Sequence, residues 1–472
     1  MSRLTSFSAP TGLACLLLIG MIVISMATGT LFGQGKPGGI AREIAMGGSN
    51  TGINIALNPF IIEDPAFVLV NPAYQSMYKD YAWANIAGGT ITGLSSQPTS
   101  SPGYGIGDDG YGHQNAGLAF GVSDNLTLGA ILSYDPSAIN GINERTVIGT
   151  ISQRPPQAIP KVGNIWEVVG SYALSPSHSI GLGILYGWSN ADETNSSLDP
   201  RHAEASSSVF GLRGGFNCTL GTASSLDASA AVRFDRTTDN ITNGSGSGGN
   251  YSTSGTEYQI EARAKLNVSP KFNVVPYGAY LSISAEPKED AAPAGLLRTP
   301  NSLKLSATAY ALGIGGEYHT QSLYLAGGLS WQSLRLKNEI SVPADTGTNS
   351  FTTTALPVVN VGLEWWFTDW LAGRTGYYRS IANANSKVEP ASSGSNGSEA
   401  NLSIPNSIVT IGALNGSNFD GLITIGLGFK FGGATIDATV SDAALRRGLG
   451  LIGSQDAVNT FGYMTASYSF GE

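Results

Sequence analysis

Twelve charged residues fall on the polar side of segments that alternate polar and apolar: Glu167, Arg213, Asp227, Arg233, Asp235, Glu261, Arg263, Lys265, Glu317, Glu364, Arg374 and Lys430. Charges placed on one face at period two can pair across neighbouring strands. A three-residue turn at Thr368–Trp370 would set Glu364 opposite Arg374. A wall carrying both signs solvates an interior without strong selectivity for cations or anions. Arg213, Arg233, Glu261, Arg263, Lys265, Glu364 and Arg374 are therefore candidates to line a polar route and to hold a packed segment. The plainer reading is that such charges only neutralise one another.

Catalysis finds little support. Of four histidines, His178 and His319 fall in short turns, and His113 and His202 fall near long loops. No serine–histidine–acid set converges on one face, as nucleophilic catalysis requires. Asp108, Asp109 and Asp199, with His113 and His202, could form a loop metal or protease site, but glycine-rich acidic loops are ordinarily solvated turns. No zinc spacing, phosphate loop or dinucleotide fingerprint occurs in a supporting context. The expectation is a protein that is not an enzyme and uses no cofactor or metal.

The elements that must position these charges are hairpins. Tyr258–Ser284 reads YQIEARAKLNVSPKFNVVPYGAYLSIS. On the first arm Tyr258, Ile260, Ala262, Ala264, Leu266 and Val268 alternate with Gln259, Glu261, Arg263, Lys265 and Asn267, the signature of a two-faced strand. After the turn Ser269-Pro270-Lys271, Val275, Tyr277, Ala279, Leu281 and Ile283 alternate with Gly278, Tyr280, Ser282 and Ser284. With apolar faces outside and polar faces inside, such hairpins build a transmembrane barrel. On that pattern Leu281 is expected to face lipid and Ser282 the interior. Sixteen strand-like segments start near residues 82, 114, 126, 164, 179, 206, 224, 257, 272, 303, 322, 352, 370, 418, 434 and 460. The weakest are those at 82–91 and 434–440. Seven short turns alternate with eight long ones, the latter including Thr242–Gly255 and Asn383–Asn401. The fold class is all-β, a transmembrane antiparallel up-and-down barrel of about 14–16 strands. Short turns and both termini are expected in the periplasm, and long loops outside. Tyr134, Tyr172, Trp188, Phe234, Trp365, Phe367 and Tyr377 are expected to form aromatic girdles. The last strand, Phe461–Phe470, ends on an aromatic two residues before the terminus, a pattern that suits a barrel assembly machinery.

Composition agrees. Only 12% of the 472 residues are charged. Met1 to about Gly29 reads as a secretory signal, with Arg3, an apolar run from Leu13 to Met26, and small residues at Ser25, Ala27 and Gly29. The run is short for a membrane anchor, and Cys15 lies too early in it for a lipoprotein cysteine. Cleavage would leave 24 basic and 34 acidic side chains, which gives no basic footprint for nucleic acid. It would also leave Cys218 as a lone thiol on the apolar face of its strand.

Between Gly33 and Lys79 the chain has neither periodicity, yet Phe60, Ile61, Ile62, Phe67, Val68, Leu69 and Val70 are too apolar for a solvated tail. It is expected to fold into the barrel as a plug, or to pack beneath it as a periplasmic cap. The stretch AMGG (Ala45–Gly48), the run EDPAFVLV (Glu63–Val70) and the motif Asn71-Pro72-Ala73 resemble the amino-terminal region of the FadL-like outer-membrane transporters. The resemblance covers residues 38–90 together with the barrel pattern that follows. That family usually has fourteen strands, two fewer than counted here, and type IX secretion shuttle proteins resemble it as well. It implies a division into signal peptide (1–29), plug (30–80) and barrel (81–472). It also implies passive uptake of hydrophobic molecules such as long-chain fatty acids through the bacterial outer membrane. Asn71, Pro72 and Ala73 would be the plug motif, and Phe60, Ile61, Ile62, Phe67 and Leu69 the ligand-contacting apolar residues. Partners would then be outer-membrane lipids and a hydrophobic small molecule. The alternatives are a water-filled porin or a non-transporting barrel in a secretion or surface complex.

Overall fold

In the computed structural model, Tyr258 and Ile260 are about half exposed, whereas Gln259, Glu261 and Arg263 are buried. This alternation runs around a closed wall. The described residues are 38–48, 58–87, 115–133, 162, 164–195, 201–221, 223–243, 249–291, 302–342, 345–390, 398–404, 422–440 and 461–470. The signal-like segment and the acids Asp108, Asp109 and Asp199 lie outside them, as do His113 and Tyr134.

The strands are β1 (Tyr81–Ala87), β2 (Asn115–Gly121), β3 (Leu126–Ser133), β4 (Asn164–Ser175), β5 (His178–Asn195) and β6 (Arg201–Leu220). Next come β7 (Ser224–Asn243), β8 (Gly249–Ser269), β9 (Phe272–Ala291), β10 (Ser302–His319), β11 (Leu323–Val342) and β12 (Asp345–Trp366). The wall ends with β13 (Leu371–Pro390), β14 (Ser398–Ile404), β15 (Leu422–Phe431), β16 (Ala434–Val440) and β17 (Phe461–Ser469). All neighbours are antiparallel, and β1 closes the ring by pairing with both β2 and β17, with Tyr81 opposite Ser469. Strands β14 and β15 pair with different lengths of β13, so seventeen segments occupy sixteen positions. Closure joins the first and last strands, which is what lets a sheet cross hydrocarbon. The weak segments at 82–91 and 434–440 both hold strands, β1 and β16.

The outer face carries an apolar belt bounded by aromatics. Trp365 and Phe367 lie 5.0 Å apart, and Trp370 and Phe431 6.3 Å apart, at the short-turn end. Toward the other end, Tyr186 pairs with Trp188 at 5.5 Å and Tyr280 with Tyr310 at 5.2 Å. Tyr172, Trp188, Phe234, Trp365 and Phe367 are all exposed, as girdle residues must be.

Two expectations need correction. Within the expected loop Thr242–Gly255, the described residues 242–243 and 249–255 are strand, with Asn240 opposite Asn250 and Ile241 opposite Gly249. Likewise Asn385 pairs with Asn401 and Val388 with Ser398. Ladder hydrogen bonds come from the backbone, so serine-, glycine- and asparagine-rich chain can continue a strand beyond the belt. Strands of 20 to 22 residues result, where a crossing needs only about 9–11.

The second correction concerns β9. Val275, Tyr277, Ala279, Leu281 and Ile283 are buried on the inner face, and Tyr280 and Ser282 point outward. Directly opposed residues share a face. Gln259 faces Leu281, Glu261 faces Ala279 and Arg263 faces Tyr277, so the charged face of β8 carries Leu281 inward with it. Within the belt the outward residues of β9 are Phe272, Val274, Pro276, Gly278 and Tyr280. Both faces are therefore apolar or small, and alternation alone does not distinguish them.

Candidate functional site: a segment docked on the inner wall

Residues 38–48 and 58–78 lie against inward-facing side chains on opposite sides of the ring. A short helix α1 (Ile40–Ala45) is followed by two 3-10 turns, Pro65–Leu69 and Pro72–Met77. Each turn is opened by an acid or amide before proline. Asp64 Oδ1 accepts the Ala66 N–H at 2.7 Å, and Asn71 Oδ1 accepts the Ala73 N–H at 3.0 Å. Proline sets φ at the first turn position while the preceding side chain satisfies a donor that has no helical partner.

At the helix, charges form a continuous circuit. Arg42 joins Asp64 at 2.8 Å and Glu364 at 2.9 Å. Arg374 joins Glu364 and Asp437, each at 2.6 Å. The acids at either end also bind the backbone just before α1, because the Gly39 N–H donates to Asp64 at 2.7 Å and the Gly38 N–H to Asp437 at 3.2 Å. Gly39 has φ of 116°, and an added Cβ there would strike Thr465. Burial opposes the charge of Arg42, yet Glu364 and Asp64 hold its guanidinium well above the ordinary value. Glu43 is fully buried beside this circuit. Its Oε2 accepts the Asn58 N–H at 2.9 Å, and its Oε1 has no hydrogen-bond partner. Burial first, and then the nearby Asp64, push the Glu43 carboxyl well above its usual range.

Asn71-Pro72-Ala73 sits on β5 and β6. Asn71 Nδ2 donates to the Phe216 carbonyl at 3.1 Å, while Ser171 and Ser179 donate to the Ala73 carbonyl at 3.1 and 3.2 Å. Gly181 and Gly215 make the approach possible, since a Cβ on either would overlap the motif. Above it, Arg213 pairs with Glu167 at 2.6 Å and donates to the carbonyls of Val68 and Leu69. Arg263 donates to the Ile61 carbonyl at 2.9 Å, pairs with Asp227 at 3.3 Å, and lies 3.6 Å over the Phe67 ring. Lys265 reaches Glu63 at 2.7 Å, and the Ile62 N–H donates to Glu317 at 2.9 Å.

The candidate charges therefore divide. Arg213, Arg263, Lys265 and Glu364 contact the N-terminal segment directly, and Arg374 does so through Glu364 and Asp437. Arg233 instead pairs with Glu257 at 2.6 Å and Asp235 at 3.1 Å, away from the segment. Glu261 is buried beside Arg263. The expected opposition of Glu364 and Arg374 is present in the register. Sequence reasoning missed Arg42, Glu43, Asp64, Glu257 and Asp437. Arg42, Glu43 and Asp64 belong to a stretch without periodicity, and Asp437 to a strand too short to assign faces.

The apolar candidates divide as well. Ile61, Phe67 and Leu69 pack with Ile40, Met46 and Tyr74 in a cluster that also takes in Ile131, Val169 and Tyr463 of the wall. Phe60 and Ile62 join a separate cluster on the barrel wall with Val275, Tyr277, Leu281, Ile283 and Leu334. The Phe60 ring rests on Gly313, Gly315 and Gly328, where a Cβ would meet it. From that point an apolar stripe climbs the inner wall of β9, β10 and β11. Ala307 lies between Ile283 and Leu336, and Ala309 between Leu281 and Leu334. At about 3.4 Å per residue, Val275 to Ile283 covers roughly 27 Å along the strand. The architecture is an outer-membrane-type β-barrel.

No family model matches the chain, and neither does any curated protein. Among solved structures, it is similar to the Pseudomonas putida toluene transporter TodX at 10% identity and a TM-score of 0.37, covering 93% of this chain and 100% of that one. It is similar to a Pseudomonas aeruginosa FadL homologue at 11% identity and 0.38, with the same coverage. The ferric yersiniabactin uptake receptor FyuA of Yersinia pestis also matches, at 10% identity and 0.32, covering 83% of this chain and 79% of that one. Likeness at this level carries no argument about function.

Proposed function

We propose that this chain is an outer-membrane channel for hydrophobic small molecules, with residues 38–78 acting as a plug inside it. The observation that carries this reading is the apolar stripe on the inner wall of β9–β11, joined at its base to Phe60 and Ile62. A water-filled pore gains nothing from burying Leu281, Ile283 and Leu334 on its luminal face, since polar lumens solvate their contents. A passing apolar molecule does gain, at about 25 cal/mol for each Å² removed from water. In this reading the molecule moves along the stripe and reaches Phe60, and the plug shifts to let it by. The long strands face outward, with the short turns and termini in the periplasm. Surrounding outer-membrane lipid and the apolar ligand are its partners, and it performs no chemistry on its cargo.

The test uses the full chain reconstituted in vesicles, with an uncharged solvatochromic dye as ligand. Saturable dye binding that falls at least about tenfold in the double variant Leu281→Gln, Leu334→Gln is the expected result. Dye binding unchanged in that variant, with free passage of small sugars through the unmodified protein, would replace this reading with a general porin.

A further inference from the structure

The stripe has an asymmetric border. On its β8 side the directly opposed residues are Glu257 beside Ile283, Gln259 beside Leu281, Glu261 beside Ala279 and Arg263 beside Tyr277. From Val275 to Ile283, no inward position of β9, nor its partners on β10 and β11, carries a charge. The charged border belongs to β7 and β8. There, four acids (Asp227, Asp235, Glu257 and Glu261) stand against two arginines, Arg233 and Arg263, and Lys265, one inward step below Arg263, is held by Glu63 at 2.7 Å.

Both arginines are already committed. Arg233 is held by Glu257 at 2.6 Å and Asp235 at 3.1 Å. Arg263 is held by Asp227, the Ile61 carbonyl and the Phe67 ring. A carboxylate entering with an acyl chain would meet acids and no uncommitted cation among the described residues here. Leaving an anion unpaired in such a place is costly. A hydroxyl or an uncharged ring meets no such penalty, and carboxylate oxygens can accept its hydrogen bond.

We propose that Glu257 and Glu261 set the ligand class, so that the channel takes uncharged apolar molecules and rejects apolar carboxylates of the same length. This rests on the hydrophobic-passage reading and narrows it. The two acids act at the edge of the stripe: their charge excludes anions, and the stripe supplies the attraction.

The experiment measures displacement of the bound solvatochromic dye by 1-dodecanol and by dodecanoate at pH 10, where the acids and dodecanoate are all ionised, using the full chain in one detergent throughout. For the unmodified protein, dodecanol is expected to displace dye at a concentration at least about tenfold below dodecanoate. In Glu257→Gln and Glu261→Gln that ratio should shrink to about threefold or less, through gain of dodecanoate binding and not loss of dodecanol binding. Because Glu257 faces Arg233, Glu261→Gln provides a second readout if Glu257→Gln fails to fold. Dodecanoate matching dodecanol in the unmodified protein, or ratios unmoved in both variants, would overturn the proposal. Failure of the dye itself to bind would instead remove the hydrophobic-passage reading beneath it.

Discussion

At the scale of single residues, the inner and outer faces of one strand pair make different demands. Ile260 is half exposed in the outer belt and its neighbour Gln259 is buried inward. Arginine at Ile260 should cost about 2–4 kcal/mol in a lipid-dependent unfolding titration, while arginine at Gln259 costs far less. Leu281 groups with Gln259, so Leu281→Arg should unfold the barrel less than Ile260→Arg does, whereas alternation along β9 would put both on the lipid-facing side. Glu43 gives a pH-dependent prediction. Its carboxyl is raised by burial and by Asp64. A raised acid favours the docked state below the ordinary carboxyl range, and that contribution is lost as pH climbs through the raised value. Hydrogen exchange of Ile40–Ala45 should therefore quicken with rising pH beyond its intrinsic base dependence, and Glu43→Gln should abolish the excess. Equal excess in both proteins would dismiss Glu43 as the cause.

At the scale of elements, the N-terminal segment is attached by hydrogen bonds and ion pairs, while the wall is held by its own ladder. Deleting Phe60–Ala73 removes no ladder bond, so the barrel should still assemble and retain its heat-modifiable migration. Single-channel conductance in planar bilayers should rise several-fold, and larger polar solutes should pass. A folded deletion variant that conducts like the parent would show that the segment does not occlude the lumen. Gly215→Val offers a gentler form of the same test. Its side chain would overlap Asn71 and Pro72, so it should loosen the Asn71-Pro72-Ala73 contact without touching β6 pairing.

At the scale of the whole molecule, the described residues carry the wall far beyond the belt along β5 to β13. The long strands place residues 249–255 and 383–390 at the end opposite the short turns. Cysteines introduced at Ser252 and Asn385 of a Cys218→Ser chain should react with an impermeant maleimide on intact cells, and one at Ser269 should not. Labelling at Ser269 alone would invert the orientation proposed for the barrel.

How far the sequence reached follows from what each signal depends on. Strand number and position were legible because alternation is local: period two marks the strands and glycine, serine and proline mark the turns. Charges inside were legible for the same reason, since an arginine between two apolar neighbours has only one face available. The inner stripe was not legible. Both faces of β9 are apolar or small within the belt, and only pairing with β8 decides which is luminal. The ends of the tall strands were hidden too, because serine- and asparagine-rich chain satisfies a ladder as well as a loop. The circuit Asp64–Arg42–Glu364–Arg374–Asp437 joins residues 322 apart between Arg42 and Glu364. No spacing in a sequence reports such a contact. Closure of the barrel brings these groups together, and once they are out of water each charge requires the next.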